Sequence, residues 1–380
     1  MECLNKLSED WNGITEIVLY GFGRECRRFI DKLISDFKIP FIIDNDPAKK
    51  NTRYKGIPII AWEEAEKNLG NRKIVVTTKF RQYHKIEEQL SSAGLMLNRD
   101  YISIKHFVPE WYWKNKKLCC LYTIDMVISA KCNYRCKNCN MFMPYYKNSI
   151  TYTFDELKKN VDSLFSVIDY VGYIALLGGE SLLCTCPVEL IEYIATAYAG
   201  RFGTMTFHSN GSIIPSAALL QVIKKYDLTY LVSDYGEAAP DRKNIETVAK
   251  LLEEYQIKND IIKDLLWRDV GFPETPNHFE GGELEYHLQS CSSDWRAVND
   301  GKFYYCNLAW SAEKAGLFEL KKSDYLEMEE LAALGDSGKE KLLRFSEGEI
   351  EGGYMSFCKV CGGCGSDNEN FVVPGLQLRA

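Results

Sequence analysis

The sequence predicts an α/β protein in three successive segments. Strand-like apolar runs alternate with amphipathic, helix-like runs in two long stretches, and the last part is rich in cysteine and turn residues. We place the segments at residues 1–115, 116–285 and 286–380. A chain of 380 residues, with 46% hydrophobic and 26% charged residues, is long enough for about two or three domains.

The composition argues against several classes of protein, namely nucleic-acid-binding, membrane-spanning and disulfide-bonded secreted proteins. A net charge of −7 argues against the backbone of a nucleic acid as a partner. No apolar run approaches the length of a membrane span, and the first residues lack the apolar core of a signal peptide. Fourteen cysteines in such a chain indicate metal or redox chemistry rather than disulfides, so we expect a cytoplasmic protein without a membrane partner.

The first segment carries a βαβ pattern with a glycine-containing turn. Gly21 and Gly23 follow the first strand, where glycines allow the backbone to approach a phosphate at a helix N-terminus. Asp44 ends the second strand, where an acid can accept from a ribose hydroxyl. Cys26 replaces the third glycine of the G-x-G-x-x-G pattern, so a docking domain with an empty crevice remains the alternative. The predicted strands and helices lie at 16–20, 27–37, 40–43, 56–60, 73–77 and 82–93.

The spacing of this segment, with its IDND and GIPI stretches, resembles small Rossmann-like domains attached to enzymes of surface-polysaccharide and nucleotide-sugar pathways. The resemblance implies a parallel sheet that can bind a nucleotide.

Three cysteines with the spacing C-x3-C-x2-C follow the first strand of the second segment. Cys132, Cys136 and Cys139 can close around a metal cluster, and no fourth cysteine follows nearby. Zinc sites and closed iron–sulfur sites usually take four protein ligands, so this set leaves one position for an external ligand. A zinc knuckle or a buried loop is the plainer alternative.

The spacing resembles the signature loop of the radical S-adenosylmethionine (SAM) enzymes. The resemblance implies that the three cysteines hold a catalytic [4Fe–4S] cluster and that SAM binds its open iron. It also implies a partial (β/α)6 barrel and reductive cleavage of SAM to a 5′-deoxyadenosyl radical that abstracts hydrogen from a substrate. The strands predicted for this segment are 121–130, 171–177, 204–208 and 229–234, and the helices are 154–168, 188–199, 214–226 and 242–255.

A Gly-Gly-Glu motif strengthens the resemblance. Gly178, Gly179 and Glu180 directly follow a predicted strand and match the family's GGE. The resemblance implies that the glycines bring the backbone close to SAM and that Glu180 accepts from its ammonium group. Asn138 departs from the family, where an aromatic residue is common, so adenine would instead contact Met141 or Phe142. A strand-end turn is the alternative for the motif.

Other strand ends carry further candidates. Ser209 and Asn210 resemble the family's TNG segment, which implies contacts with the ribose and carboxylate of SAM, and Ser233 occupies a similar position. Cys184 and Cys186 follow GGE, where a thiol could donate hydrogen to a substrate radical. The alternatives are ordinary turns and buried, small apolar side chains.

The third segment combines a predicted hairpin with a cysteine-rich stretch. Asp300-Gly301 is the predicted turn of this hairpin. Residues 311–347 are predicted to form a solvated helical spacer. The cysteines resemble the twitch and SPASM auxiliary domains of radical SAM enzymes, which implies a second [4Fe–4S] cluster. A structural zinc site is the alternative, because four thiolates also suit zinc. We assign the ligands to Cys291, Cys306, Cys358 and Cys361, with Cys364 as a spare or alternative ligand.

These features together predict a radical SAM oxidoreductase or epimerase. We expect a small-molecule or sugar substrate, possibly nucleotide-linked, which is oxidised, epimerised or rearranged. We also expect an electron donor of the flavodoxin or ferredoxin type. A radical SAM enzyme that matures ribosomal peptides is the first alternative, and a non-catalytic iron–sulfur or zinc protein that binds a nucleotide is the second.

Overall fold

A computed structural model describes residues 7–78, 80–263, 266–291, 294–365 and 367–378, without the side chains of residues 80 and 81. It is a mixed α/β structure with parallel sheets, as the sequence predicts. The described chain divides into two compact units, Met1–Tyr122 with Ile168–Gly172 and Thr123–Val167 with Tyr173–Ala380. The predicted division into three segments stays a prediction. Within the described ranges, no helix combines the length and apolarity needed to cross a membrane.

The first unit is built on a six-stranded sheet. Its strands are β1 Ile17–Tyr20, β2 Ile42–Ile43, β3 Arg53–Tyr54, β4 Ile57–Ile60, β5 Lys73–Val76 and β6 Tyr101–Ser103, followed by the short β7 Cys120–Leu121. Its helices are α1 Arg24–Asp36, α2 Trp62–Asn68, α3 Phe80–Ser92 and α4 Ile104–Lys116. The strand order is β3-β4-β2-β1-β5-β6, and all neighbours pair in parallel except β3 and β4.

Alternation along β1 explains why this sheet has two buried faces. Ile17 and Leu19 belong to one hydrophobic core, whereas Val18 and Tyr20 belong to another. Successive side chains of a strand point to opposite faces, so an uninterrupted apolar run serves a sheet that is covered on both sides.

The second unit contains a long sheet and most of the helices. Its strands are β8 Ile124–Ser129, β9 Tyr170–Gly178 (of which the first three residues belong to the first unit), β10 Phe202–Ser209, β11 Thr229–Asp234, β12 Asn259–Lys263, β13 Trp267–Arg268, β14 Ala297–Asn299, β15 Lys302–Tyr304, β16 Tyr325–Glu327 and β17 Phe371–Val372. Its helices are α5 Phe154–Val167, α6 Pro187–Ala197, α7 Ala217–Lys225, α8 Asn244–Glu254, α9 Gly282–Ser290, α10 Asn307–Lys314, α11 Met328–Ala333 and α12 Asp336–Ser346.

The order of the long sheet is β12-β11-β10-β9-β8-β14-β15-β16. Strand β8 pairs in parallel with β9 and β14, and β10, β11 and β12 pair in parallel in turn. The helices α5, α6, α7 and α8 connect the strands from β8 to β12. Because parallel strands need such crossovers, the loops that follow β8, β9, β10 and β11 emerge at the same edge of the sheet.

The structure shows how α5 begins, and it confirms the predicted hairpin turn. Thr153 and Glu156 exchange hydrogen bonds at the start of α5, where the Thr153 N–H donates to the Glu156 carboxylate at 2.8 Å and the Glu156 N–H donates to the Thr153 hydroxyl at 3.3 Å. Asp300 and Gly301, with φ of +53° and +74°, form the turn between antiparallel β14 and β15.

The prediction of a solvated spacer at residues 311–347 is wrong. Strand β16 pairs with β15, and Leu331, Leu342 and Leu343 are buried. The segment is charged on its outer surface, but its apolar positions recur at helical spacing and pack inward.

Candidate functional site

The three-cysteine loop begins directly after β8. Asn138 and Phe142 lie in the left-handed region of backbone conformation, with φ of +61° and +50°. The chain therefore turns sharply at both positions. Cys136 is buried, and Cys132 and Cys139 are half-buried. The loop therefore carries all three thiols into a partly enclosed space.

The thiols of this loop lie close to one another and to hydrogen-bond donors. Burial, followed by weaker effects from Cys139, Glu180 and Cys136, raises the pKa of Cys132 to about 12. Burial raises the pKa of Cys136 to about 11. The Tyr134 N–H donates to Cys132 Sγ at 3.4 Å. Thiols in such a place ionise when a cation binds them, and N–H donors then stabilise the sulfur charge.

The donor set fits an iron–sulfur cluster. Within the described ranges, no three or more histidine, cysteine or acidic side chains converge, as they stand, on a position for one metal ion. In a cluster each cysteine binds a different iron, so its ligands surround a cluster rather than a point. Within the described residues, no cysteine forms a disulfide bond.

The glycines of the GGE motif let β9 approach the chain beside it. A Cβ atom at Gly178 would lie 2.1 Å from the Ser129 carbonyl oxygen, and one at Gly179 would lie 2.4 Å from that of Lys131. The Gly179 N–H donates to the Ser129 carbonyl at 3.0 Å, and the Glu180 N–H donates to the Lys131 carbonyl at 2.7 Å. Glycine is thus required here by contacts within the protein. Contact of these residues with SAM stays a prediction.

Glu180 is a buried carboxylate, 1% exposed, that links two strand ends. Its Oε2 accepts the Asn210 N–H at 2.7 Å, and its Oε1 accepts the Leu182 N–H at 3.0 Å. Burial raises the pKa of Glu180, whereas these N–H donors and the Ser209 hydroxyl oppose the rise. A carboxylate has about four acceptor sites, so one remains that can accept from a ligand.

Asn210 joins the cysteine loop to the end of β10. Its Nδ2 donates to Asn133 Oδ1 at 3.2 Å and lies 3.9 Å from Cys132 Sγ. Its Oδ1 accepts the Ser212 N–H at 2.9 Å, and Asn133 Nδ2 donates to the Ser212 hydroxyl at 2.8 Å. Ser209 accepts from a backbone N–H within the same turn. Sequence reasoning missed Asn133 and Ser212, because an asparagine or a serine in a loop carries no spacing signal.

The remaining candidates of this region occupy neighbouring loops. Ser233 is half-buried near the end of β11, beside the buried Asp234, which binds the Arg242 guanidinium at 3.1 Å and 3.2 Å. Cys184 and Cys186 are both buried in the loop between β9 and α6, and burial raises the pKa of Cys184 to about 12. Their roles stay predictions.

The two residues considered for adenine differ in their surroundings. Phe142 is 1% exposed, and its ring packs edge-on against Phe272 and Phe357. The backbone carbonyl of Met141 accepts the Ser311 hydroxyl, and its side chain is half-buried. The Phe142 ring is therefore part of the core, which leaves Met141 as the candidate.

The five cysteines of the last segment come together. Cys291 directly follows α9, Cys306 precedes α10, and the other three lie on and after the short 3-10 helix Ser356–Lys359. Burial is the main cause that raises the pKa of Cys358, Cys361 and Cys364, and nearby Cys291 and Cys306 add to each rise. The Gly363 N–H donates to Cys361 Sγ at 3.3 Å.

Buried polar side chains hold this cysteine stretch in place. Asp324 accepts the Ser356 N–H at 2.7 Å and the Ser356 hydroxyl, two residues before Cys358. The His287 ring stacks on Phe279, and its Nδ1 lies 2.7 Å from Asp367 Oδ2. Sequence reasoning missed these supports, because the bonded partners lie far from each other along the chain, 80 residues apart for His287 and Asp367 and 32 for Asp324 and Ser356.

In the first unit, the structure brings Asp44 to the glycine-containing turn. Asp44 Oδ2 accepts the Phe22 N–H at 2.7 Å and lies 3.0 Å from Lys49 Nζ. Gly21 has a φ of +106°, and Gly23 is the N-cap of α1. Cys26, at the third glycine position, is fully buried. Asp44 thus already orders the turn, and nucleotide binding by Gly21, Gly23 and Asp44 stays a prediction.

No protein-family model matches the sequence, and no curated protein matches it. The similar solved structures include BtrN in complex with AdoMet and 2-DOIA, at 18% identity over 66% of this chain and 96% of that chain, with a TM-score of 0.44.

Native anSMEcpe with bound AdoMet is 12% identical over 67% of this chain and 93% of that chain, with a TM-score of 0.38. Native anSMEcpe with AdoMet and the Cp18Cys peptide is 16% identical over 37% of this chain and 42% of that chain, with a TM-score of 0.30. Likeness at this level carries no argument about function, which rests on the residues of the site.

Proposed function

We propose that this protein is a radical SAM enzyme that abstracts hydrogen from a small-molecule or sugar substrate, possibly nucleotide-linked. One observation carries the proposal. The Asn210 side chain contacts Asn133 and approaches Cys132 Sγ, while its backbone N–H binds the Glu180 carboxylate. The cysteine loop and the motifs resembling those that bind SAM therefore form one connected site.

The site has the ligands that a catalytic cluster needs. Cys132, Cys136 and Cys139 would hold a [4Fe–4S] cluster that, when bound together with SAM, supplies the electron for cleavage to methionine and a 5′-deoxyadenosyl radical. Glu180 would accept from the ammonium group of SAM with its remaining lone pair. Ser209 and Asn210 would orient the ribose and carboxylate, with Gly178, Gly179 and Ser233 beside them.

The architecture supports this assignment. The strands β8 to β12, with a helix between each consecutive pair, have the order expected for a partial (β/α)6 barrel. In the first unit, the order β4-β2-β1-β5-β6 corresponds to the order 3-2-1-4-5 of a Rossmann-like sheet. A Rossmann-like unit favours a nucleotide-linked substrate over a peptide. An electron donor of the flavodoxin or ferredoxin type and a cytoplasmic location belong to the same proposal.

The last segment would hold an auxiliary [4Fe–4S] cluster of the twitch or SPASM type. Four of its five clustered cysteines are sufficient ligands, and we assign Cys291, Cys306, Cys358 and Cys361. Cys364 would be a spare or alternative ligand. Such a cluster could accept an electron from the substrate radical, with Cys184 or Cys186 as an alternative hydrogen donor.

The test is anaerobic reconstitution, followed by measurement of iron per chain and of 5′-deoxyadenosine formed from SAM with dithionite. The wild type should hold about eight irons, and the variant Cys132→Ala/Cys136→Ala/Cys139→Ala should hold about four and lose SAM cleavage. Cys120→Ala, which removes a buried thiol of the first unit, should keep both properties.

The same measurements separate the alternatives. About four irons together with bound zinc would reassign the last segment to a structural zinc site. Absence of iron and of SAM cleavage would overturn the radical SAM assignment and favour a nucleotide-binding zinc protein. Retention of a nucleotide sugar by the purified chain would favour the sugar substrate over a ribosomal peptide.

A further inference from the structure

Residues 375–378, which we call the strap, pair with the three-cysteine loop. The Lys137 N–H donates to the Leu376 carbonyl at 2.6 Å, and the Leu378 N–H donates to the Arg135 carbonyl at 2.7 Å. These contacts place Gln377 antiparallel to Cys136. A segment more than two hundred residues away along the chain thus forms part of the loop's backbone hydrogen bonding.

The Gln377 side chain is held at both ends of its amide. Its Oε1 accepts the Arg135 N–H at 2.7 Å. Its Nε2 donates to the Gly375 carbonyl at 2.6 Å and to Cys136 Sγ at 3.3 Å. The Gly375 carbonyl can accept only from the amide nitrogen of Gln377, and the Arg135 N–H can donate only to its amide oxygen. These two bonds therefore fix the orientation of the amide and place its nitrogen toward the sulfur.

The strap packs at a fixed position in the second unit. Gly375 has a φ of +78°, and a Cβ atom there would lie 2.8 Å from Tyr235 Cβ and 3.3 Å from Ala239 Cβ. Tyr235 and Ala239 follow β11, at the sheet edge that carries the site. Because a larger residue does not fit at Gly375, the position of Gln377 is set by packing as well as by hydrogen bonds.

We propose that Gln377 is a positioning residue that raises the reduction potential of the cluster ligated by Cys136. The inference rests on the proposed function, since it requires a cluster on the cysteine loop. An N–H that points at a ligating sulfur stabilises the additional negative charge of the reduced cluster more than it stabilises the oxidised one. The strap would also limit the access of water to this side of the loop. Exclusion of water lowers the reduction potential of a cluster, so an increase in potential would come from the hydrogen bond that Gln377 donates.

The experiment is a redox titration of reconstituted full-length protein, followed by electron paramagnetic resonance. The part of the reduced-cluster signal that changes when SAM is added reports the catalytic cluster and not the auxiliary one. The variants are Gln377→Ala, which removes the side chain, and Gln377→Glu, which keeps an acceptor for the Arg135 N–H but puts an acceptor beside the sulfur. Gln221→Ala, at an exposed position on α7, is the matched control.

At the potential that half-reduces the wild-type catalytic cluster, the ratio of reduced to oxidised cluster should fall about fivefold in Gln377→Ala. It should fall further in Gln377→Glu, because a carboxylate adds negative charge next to Cys136. Gln221→Ala should behave as the wild type.

A purely structural role of Gln377 predicts the reverse order, with Gln377→Glu closer to the wild type, and that order would overturn the inference. Unchanged ratios in both variants, in protein that holds iron and cleaves SAM, would overturn the inference while the proposed function stands. A wild type without a SAM-responsive signal would overturn both.

Discussion

The Glu180 carboxylate accepts the backbone N–H of Asn210 at 2.7 Å, and this bond ties the end of β9 to the end of β10. Both residues are buried, and Asn210 continues the connection to Asn133 in the cysteine loop. The relative positions of the end of β9, the end of β10 and the cysteine loop therefore depend on one carboxylate. The first prediction concerns that carboxylate.

Glu180→Gln should weaken both the fold and SAM binding. An amide offers only one oxygen, so either the Asn210 or the Leu182 N–H loses its buried acceptor. We expect a loss of about 1–3 kcal/mol in the free energy of unfolding and a roughly tenfold weaker binding of SAM to the reconstituted protein. Urea unfolding and equilibrium dialysis measure the two effects. Glu253→Gln, on the exposed surface of α8, should change neither.

Gly21→Ala should destabilise the first unit by about 2–4 kcal/mol. Gly21 has a φ of +106°, and an added Cβ would lie 2.3 Å from Thr78 Cγ2 and 3.2 Å from the Thr77 carbonyl oxygen. Gly23→Ala is the control, because no atom lies within 4 Å of its added Cβ. It should cost less than about 1 kcal/mol, the usual effect of losing a glycine N-cap. Equal losses in the two variants, measured by thermal unfolding, would contradict the prediction.

Asp125→Asn should alter the pH dependence of stability. Burial raises the pKa of Asp125 to about 8, and Asn307 Nδ2 lies 3.4 Å from its carboxylate. The folded pKa lies above the unfolded value of about 3.9, so the folded state binds the proton more tightly. The stabilisation is complete below about pH 4 and is lost as the pH rises toward 8.

Asparagine stays neutral throughout this range. The free energy of unfolding of Asp125→Asn, relative to the wild type, should therefore increase by about 2 kcal/mol or more between pH 5 and pH 8. Urea titrations at several pH values measure this difference. A difference that does not change with pH would show that Asp125 is ionised in the folded protein. Asp155→Asn, at an exposed position on α5, is the control for general effects of charge.

Asp324→Ala should destabilise the cysteine-rich stretch of the last segment. The Asp324 carboxylate accepts the backbone N–H groups of Ser356 and Lys321, each at 2.7 Å, and the Ser356 hydroxyl. Its removal leaves buried donors without acceptors, at a cost of about 3–5 kcal/mol. Iron retained by the reconstituted protein should also fall, since Ser356 begins the 3-10 helix that carries Cys358.

The control for Asp324→Ala is Glu192→Ala, which breaks an exposed ion pair with Lys225 at 2.9 Å. Exposed pairs contribute about 1 kcal/mol or less, so this variant should retain nearly wild-type stability and iron. A similar loss in the two variants would show that the Asp324 bonds do not support the cysteine stretch.

Helices and strands with a clear local sequence pattern could be predicted from the sequence. Those whose conformation depends on the surrounding core could not. Strands β8 and β11 each contain a short apolar run, at 126–128 and 230–232, and α5 begins with its own capping residues. Helix α4 was not predicted, because it contains Pro109 and is buried around most of its surface, so it shows little amphipathic periodicity. Its helical state depends on the core around it.

The sequence by itself determined the local chemistry of this protein: the strand–helix alternation, the C-x3-C-x2-C spacing, the GGE motif and the hairpin turn. Each of these is a property of neighbouring residues, which the chain's own periodicity and turn preferences decide.

Only the tertiary structure decided which distant groups meet. Gln377 reaches Cys136 across 241 positions, and Asn210 reaches Cys132 across 78. Such pairs depend on strand order and on where each loop leaves the sheet, and no local pattern encodes either. The reactive residue types could therefore be predicted, whereas the polar side chains that position them required the fold.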